Sequence, residues 1–170
     1  MAETKTQDAV ALLKADHDKV EELFASYEKA SGDGRKQKLA EEICMELTIH
    51  AAIEEEIFYP ACEGKVEEDL LKEAYVEHDG AKVLINDIIA NGTNDEFFEA
   101  KVTVLCEEIS HHVKEEERPG EGFFAQARDA GVDMVEMRDR LMARKQELMA
   151  QAENGGLPAA KLAAVHLEAA

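Results

Sequence analysis

Histidine and glutamate recur four residues apart at two places in this 170-residue chain, and each pair lies in a stretch of helical pattern. Residues four apart lie one turn above each other on the same face of an α-helix, so an imidazole and a carboxylate at this spacing can converge on one metal ion. A single histidine on a helical stretch precedes each pair. The candidate metal ligands are His17, His50, Glu54, His78, His112 and Glu116.

The predicted register places these polar side chains on helix faces that otherwise carry apolar residues. In the second predicted helix the core-facing line reads Ile43, Leu47, His50, Glu54 and Ile57. A carboxylate buried without a hydrogen bond, a counter-charge or a metal costs on the order of several kcal/mol. This placement therefore favours a bound cation over separately satisfied polar groups.

Two adjacent histidines compete for the same role in the fourth predicted helix. His112 continues an apolar line from Leu105 and Ile109 to Glu116, whereas His111 lies on a charged line. The register therefore favours His112 as the ligand.

The donor types indicate which metals the site would bind. Imidazole and carboxylate without thiolate suit iron, manganese or zinc, and the set divides into two halves of two histidines and one carboxylate. Two ions bridged by Glu54 and Glu116 would use all six groups, whereas a single four-coordinate zinc would leave two unused. We therefore rank two non-haem iron ions first, with zinc or manganese as alternatives.

The elements that carry these residues read as helices, because no sustained strand alternation occurs. We predict an all-α fold, an up-down-up-down antiparallel four-helix bundle with an additional C-terminal helix. The predicted bundle helices span residues 6–30, 35–59, 66–90 and 97–117.

Local signals predict where these helices begin and end. Thr6 is the expected N-cap of the first helix, and Asp33 can cap the second, which we expect to stop near Pro60. Thr93 and Glu96 form a capping-box pattern before the fourth helix.

The division of the chain follows from these boundaries. We assign residues 1–128 to the bundle, 129–153 to the additional helix and 154–170 to a mobile tail, which could instead form a short helix. Asp133 and Glu136 give the additional helix a capping-box pattern, and it could pack outside the bundle or mediate self-association. His166 has no partner of the ligand type nearby in the sequence and is left out of the site.

Composition narrows the partners and the compartment. The 38 acidic and 19 basic side chains give a formal net charge of −19, so nucleic acid and anionic membrane surfaces are not expected as partners. Three cysteines without a CxxC pair predict buried thiols in a reducing compartment. With neither a signal peptide pattern nor a membrane-spanning run, we expect a cytoplasmic protein of undetermined oligomeric state.

Four short motifs together resemble the hemerythrin-like, or HHE cation-binding, domain family over about residues 8–128. They are DH at Asp16-His17, HxxxEE ending in FYP at His50 to Pro60, EHD at Glu77 to Asp79, and HHVKEEE at His111 to Glu117. The resemblance implies an up-down bundle around a non-haem di-iron centre. It carries the metal-ligand role over to the six candidate residues.

Two positions depart from the oxygen-carrying members of that family. Lys82 stands where they have a second histidine, and Glu117 stands where they have an aspartate. This disfavours reversible oxygen carriage. The resulting set of four histidines and two glutamates resembles the bacterial iron-cluster repair and stress-response branch, without its separate N-terminal domain.

These observations lead to one leading hypothesis and two rivals. The leading hypothesis is a di-iron protein that binds or reacts with O2, NO or peroxide in sensing or stress response. The first rival is an iron or zinc storage or delivery module without turnover, and the second is a purely structural metal. Tyr75 is expected to pack in the core or to donate a hydrogen bond near the metals, while Glu55 and Glu115 are expected to support the ligands or face solvent.

Overall fold

The computed structural model describes residues 8–167. Helices are the only regular secondary structure in this range, so the all-α prediction is confirmed. Within this range no helix is apolar over a long enough stretch to cross a lipid bilayer. The elements are α1 (Ala9–Lys29), α2 (Asp33–Ile53), a π-helical segment (Glu54–Phe58), α3 (Tyr59–Cys62), α4 (Glu68–Asn91), a 3₁₀ turn (Gly92–Asn94), α5 (Phe98–Glu117), α6 (Phe123–Asp129) and α7 (Met134–Glu153).

Two apolar clusters at opposite ends of the bundle show the direction of its helices. One cluster joins the start of α1 to the end of α2 and the start of α4, with Leu13, Ile53 and Leu71 among its members. The other joins the end of α1 to the start of α2 and the end of α4, with Leu39 and Ile88 among its members. Consecutive long helices therefore run antiparallel, as predicted.

The starts of the first two helices differ from the predictions. Asp8 caps α1, because its carboxylate accepts a hydrogen bond of 2.9 Å from the backbone N–H of Ala11, and Thr6 lies outside the described residues. Asp33 is already the first residue of α2, and the preceding Gly32, at φ 86°, makes no side-chain cap. Glycine has no Cβ and adopts this left-handed conformation without steric cost.

The predicted capping box at Thr93 and Glu96 does not form. The backbone N–H of Thr93 donates to the side chain of Gln37 at 2.9 Å, which fixes Thr93 in the connection between α4 and α5. Helix α5 begins at Phe98, and its N-cap Phe97 provides no side-chain hydrogen bond. The hydrogen bond from Thr93 to Gln37 of α2 thus forms in place of the capping box that the local sequence predicts.

The second bundle helix continues past Pro60 through the π-helical segment and α3 and ends at Cys62, two residues beyond the proline near which it was predicted to stop. Proline is tolerated because it lies in the first turn of α3, where its missing N–H removes little. The π turn also shifts the register by one residue. Phe58 and Tyr59 are therefore fully buried, whereas Ile57, which the sequence predicts to face the core, is only partly buried.

Helix α7 packs along α1, α2 and the π-helical segment. Its N-cap is Asp133, whose carboxylate accepts hydrogen bonds from the backbone N–H groups of Val135 and Glu136 at 3.2 and 3.0 Å. This half of the predicted capping box is present.

The residues after α7 were expected to form a mobile tail or a short helix, but residues 157–167 are non-helical and lie against the bundle. Asn86 of α4 exchanges two side-chain hydrogen bonds with the backbone of Ala160, at 2.9 and 3.0 Å. The buried carboxylate of Asp79 accepts three backbone N–H groups from residues 163–165 at 2.6 to 2.8 Å. Such hydrogen bonds satisfy both the buried carboxylate and an extended backbone, which explains the docking. We call residues 157–167 the C-terminal segment.

The cysteines follow the prediction only in part. Cys44 and Cys62 are free, buried thiols, whereas Cys106 is only partly buried. Burial raises the pKa of the Cys44 and Cys62 thiols to about 12, which keeps both protonated at neutral pH.

Candidate metal centre

The six predicted ligands form one polar layer between the two apolar clusters. They come from α1, α2, the π-helical segment, α4 and α5, and each is between 0 and 7% exposed. The apolar residues one turn before and after His17, His50 and His78 belong to the two clusters and fix the helices on either side. The sequence therefore folds into a bundle whose middle layer is made of potential metal donors.

Their donor atoms form two half-sites. In the first half-site the Nε2 atoms of His17 and His50 lie 3.1 Å apart. In the second half-site the Nε2 atoms of His78 and His112 also lie 3.1 Å apart. Each quartet, completed by Glu54 and Glu116, keeps its donor atoms within 4.8 Å of one another.

The two glutamates each place one oxygen in each half-site. Glu54 Oε1 lies 3.3 Å from His50 Nε2, and Glu54 Oε2 lies 3.1 Å from His78 Nε2. Glu116 Oε2 lies 3.2 Å from His17 Nε2, and Glu116 Oε1 lies 3.0 Å from His112 Nε2. Both carboxylates are therefore placed to bridge two ions.

The donor geometry fits metal ions better than it fits hydrogen bonds. A cation held about 2.0–2.2 Å from each donor brings neighbouring donors to roughly 3 Å from each other, close to the spacing found here. Glu54 Oε1 and Glu116 Oε2 are buried without a hydrogen-bond partner although each lies near an imidazole nitrogen. Buried carboxylate oxygens are normally paired, so these two indicate a missing cationic partner in the first half-site.

Each of the four imidazoles is oriented by a carboxylate from another helix. These contacts are His17 Nδ1 to Glu117 at 2.7 Å, His50 Nδ1 to Asp16 at 3.2 Å, His78 Nδ1 to Glu55 at 3.1 Å and His112 Nδ1 to Glu77 at 3.2 Å. Ionised carboxylates only accept hydrogen bonds, so each Nδ1 carries the proton. When a ring is neutral, its Nε2 lone pair therefore points into the site, as metal-ligating histidines require.

Sequence reasoning did not assign the orienting role to Asp16, Glu77 or Glu117, and it left Glu55 undecided. The sequence does contain a signal for this orienting role, because each of the four carboxylates directly precedes or follows one of the six candidate ligands in the chain. Neighbouring residues on a helix point in different directions, so one faces the site and the other reaches the next helix. Glu115 lies instead near Arg118, 3.9 Å away, and does not join the site.

Tyr59 is a site residue that the sequence analysis missed. Its hydroxyl lies 2.6 Å from Glu116 Oε1 and 3.0 Å from Glu54 Oε2, the two carboxylate oxygens of the second half-site. The hydroxyl is also 3.2 Å from His78 Nε2. Tyr75, the tyrosine considered from the sequence, packs edge-on against the Tyr59 ring at 5.3 Å between centroids.

The π-helical segment explains why Tyr59 reaches the site. Five residues advance about 500° along a regular α-helix, which would point Tyr59 roughly 140° away from Glu54. The backbone N–H of Tyr59 instead donates to the carbonyl of Glu54, an i to i+5 bond that closes a wider turn. Both side chains consequently face the same layer.

Without a cation, protonated imidazoles balance the two buried carboxylates. Burial lowers the pKa of His50, but the charge of Glu54 and the hydrogen bond to Asp16 outweigh it and raise the pKa to about 10. Burial and Glu116 raise the pKa of Glu54, but His50 and a hydrogen bond from His78 outweigh them and lower it to about 2. Nitrogens 3.1 Å apart can share only one proton, so at most one proton lies between the two rings of a pair. A bound cation would replace these protons.

Two cavities approach the layer from different sides. A cavity of about 450 Å³ lies between α1 and α5, and its lining includes His17, Ala25, Ser110 and Val113. A cavity of about 300 Å³ lies between α2, α7 and the C-terminal segment, and its lining includes Glu55. The candidate ligand His17 thus lines the first cavity, whereas the orienting carboxylate Glu55 lines the second.

The other histidines lie outside the layer. His111 is 68% exposed at its side chain, with Nε2 3.4 Å from Glu77, so the structure shows the register that favours His112. His166 is exposed in the C-terminal segment.

Comparisons with known proteins agree with this architecture. The family model described as the hemerythrin HHE cation binding domain matches residues 8–119. A crystal structure of a hemerythrin HHE cation binding domain-containing protein from Mycobacterium kansasii superposes with a TM-score of 0.70 at 22% identity, covering 86% of this chain and 90% of that one. A relative described as a DNA nickase, from Nostoc sp., is 30% identical over 106 residues, which are 62% of this chain but only 30% of that protein. The family match covers most of the chain, and the chain belongs to the hemerythrin HHE cation-binding domain family.

Proposed function

We propose that this chain is a non-haem di-iron protein that binds or reacts with a small ligand such as O2, NO or peroxide in sensing or stress response. One observation carries the proposal: six buried donors converge in two overlapping quartets that share Glu54 and Glu116. Imidazole and carboxylate donors in this number suit iron, and they also accept zinc or manganese. His17 and His50 would hold one ion, His78 and His112 the other, and the two carboxylates would bridge them.

Iron held by these residues would supply redox chemistry and could bind a small ligand. The chain's own residues support that use in different ways. The cavity beside His17 is large enough to admit a diatomic molecule or peroxide, and the polar Ser110 lies in its wall. On the other side of the layer, the Tyr59 hydroxyl can donate a hydrogen bond to Glu116 and hold a proton there.

The structure favours a reactive centre over metal delivery. A delivery module must release its ion readily, whereas all six donors here are at least nine-tenths buried and four of them are held by orienting carboxylates. Both features slow metal exchange. Storage or delivery without turnover nevertheless remains the alternative that the experiment below distinguishes.

The nickase activity of the Nostoc relative is not carried over to this chain. The similarity covers 30% of that protein. The formal net charge of −19 would repel a phosphate backbone.

The test is metal analysis of protein purified from iron-supplemented cells, combined with its ultraviolet-visible spectrum. We expect about two iron ions per chain, one for each half-site, and a ferric charge-transfer band that bleaches on reduction and changes with NO or peroxide. His50→Ala should lower the iron content, whereas the matched control His166→Ala, which removes an exposed histidine, should not. Metal that leaves readily to a chelator without any spectral response would support the delivery alternative, and zinc without iron would exclude the redox proposal.

A further inference from the structure

Two of the four orienting carboxylates are also bound by a lysine. Lys145 of α7 donates to Asp16, whose other oxygen holds His50. Lys82 of α4 lies 2.8 Å from both carboxylate oxygens of Glu55, and Glu55 Oε2 in turn holds His78. Each half-site therefore contains one histidine whose orienting carboxylate is also bound by an ammonium group.

Both lysines depend on the part of the chain that follows the matched family domain, which ends at residue 119. Lys145 belongs to α7 itself. Lys82 also donates to the backbone carbonyl of Lys161 at 2.9 Å and lies 3.4 Å from Asp79, the residue to which the C-terminal segment is bound. Helix α7 therefore supplies one cation, and the C-terminal segment holds the other in place.

Each of these two lysines can fix the carboxylate that orients a site histidine. A carboxylate between an imidazole N–H and an ammonium group is fixed at both oxygens, because hydrogen bonds between charged groups are short and directional. A fixed carboxylate sets the tautomer and the ring orientation of the histidine that ligates the metal. The positive charge also weakens the electron donation of that carboxylate to the imidazole.

We propose that Lys145 and Lys82 are positioning residues of the metal centre and that α7 and the C-terminal segment are structural parts of that centre. The inference rests on the proposed metal-binding function and extends it beyond the matched family domain. Loss of either lysine loosens one histidine in one half-site.

The experiment compares three full-length variants, Lys145→Met, Lys82→Met and Lys19→Met. Lys19 is the matched control, because it pairs with the buried carboxylate of Glu46, which contacts no site histidine among the described residues. We measure the iron(II) affinity by chelator competition and the midpoint potential of the iron-loaded protein, and we repeat the affinity measurement with zinc(II).

We expect Lys145→Met and Lys82→Met to weaken metal binding about threefold or more, because the loosened histidine lowers the affinity more than the lost positive charge raises it. This effect lies below the roughly 10–100-fold that loss of a supporting partner can cause. Both should also lower the midpoint potential, because losing a nearby positive charge favours the ferric state. Lys145→Arg should restore both properties. Lys19→Met should lower the melting temperature without moving either one, and Asn86→Ala should reproduce a weaker Lys82→Met effect by releasing the C-terminal segment.

The outcomes separate the two proposals. Wild-type affinity and potential in both Lys145→Met and Lys82→Met, with only a change in melting temperature, overturns the positioning role and leaves the metal site standing. A wild-type chain that binds neither iron nor zinc overturns both. If Lys82→Met does not fold, Asn86→Ala and Lys145→Met still decide the inference.

Discussion

Each half-site contains two imidazole nitrogens 3.1 Å apart and one oxygen from each bridging carboxylate, but their surroundings differ. In the second half-site the Tyr59 hydroxyl donates toward the carboxylate oxygens. In the first half-site the corresponding oxygens of Glu54 and Glu116 have no hydrogen-bond partner. The cavity between α1 and α5 also reaches the first half-site, through His17.

This difference shows how nearly two-fold donors can acquire separate roles. A half-site already occupied by a tyrosine hydroxyl leaves less room for an incoming ligand. In the first half-site the carboxylate oxygens have no other hydrogen-bond partner, so only a cation would neutralise them. This half-site also lies beside a cavity, through which a small ligand could reach its metal ion. We therefore expect the second half-site to hold its metal in a closed environment and the first to meet the small ligand.

The largest expected effect separates a bridging ligand from a ligand of one half-site. Glu54→Ala removes an oxygen from each half-site and should leave nearly no bound metal, whereas His50→Ala should retain about one ion in the second half-site. Both should lower the melting temperature measured with metal, since metal at 100 times its Kd adds about 2.7 kcal/mol to the folded state. Metal analysis and thermal unfolding test this.

Two results would contradict that interpretation. Full metal content in either variant would remove the residue from the ligand set. Equal losses in both variants would show that Glu54 does not bridge the half-sites.

The next largest expected effect is the dependence of metal affinity on pH. Negative neighbours raise the pKa of His50 to about 10 against the effect of burial, so its protonated form persists through neutral pH when no metal is bound. Protons then compete with metal below that value, and affinity should fall as the pH falls, by roughly tenfold per pH unit for each proton displaced. Chelator competition between pH 6 and 8 measures the slope.

If each half-site releases one proton for each metal ion that it binds, the two imidazole pairs behave alike. The half-sites then differ in Tyr59 and not in their histidines. A slope near zero would mean that the nitrogens are already free of protons. That result would contradict the balance between protonated imidazoles and buried carboxylates.

Replacing Tyr59 should have a smaller effect, confined to the second half-site. Tyr59→Phe removes the one hydroxyl proton that Glu116 Oε1, at 2.6 Å, and Glu54 Oε2, at 3.0 Å, share. This should destabilise the metal-free protein by about 1–3 kcal/mol. The metal-loaded protein should lose less, because the same oxygens then bind the cation. Tyr75→Phe is the matched control, and denaturant unfolding with and without metal makes the comparison. An equal loss in both metal states would place the Tyr59 hydroxyl outside the metal environment.

The six donors and the bundle could be predicted because both follow from the 3.6-residue period along single helices. His112 faces the layer rather than His111 for that reason alone. Contacts between helices leave no such periodic pattern in the sequence. The pairing of Asp16 with His50, for example, depends on how two helices pack, and the pattern of a single helix does not contain it.

Two further features escaped prediction because they depend on the backbone. The π turn at Glu54 changes the period for one turn and brings Tyr59 rather than Ile57 into the interior. The C-terminal segment has no periodic apolar pattern, and it docks because Asp79 and Asn86 satisfy its backbone. Composition alone could not distinguish such a segment from a mobile tail.

The last prediction tests which half-site meets the ligand. Ala25 is exposed and lines the cavity beside His17, so Ala25→Phe should fill this cavity at little cost to folding. We expect it to slow azide binding to the iron-loaded protein several-fold, with unchanged metal content, because the ligand must pass the new ring. Stopped-flow absorbance measures the rate constant.

The matched control Ala159→Phe places the same ring, also from an exposed alanine, in the cavity beside Glu55 and should leave the rate unchanged. If the control slows binding and Ala25→Phe does not, the ligand approaches from the side of α7 and the C-terminal segment. The second half-site would then be the reactive one, with Tyr59 beside the incoming ligand.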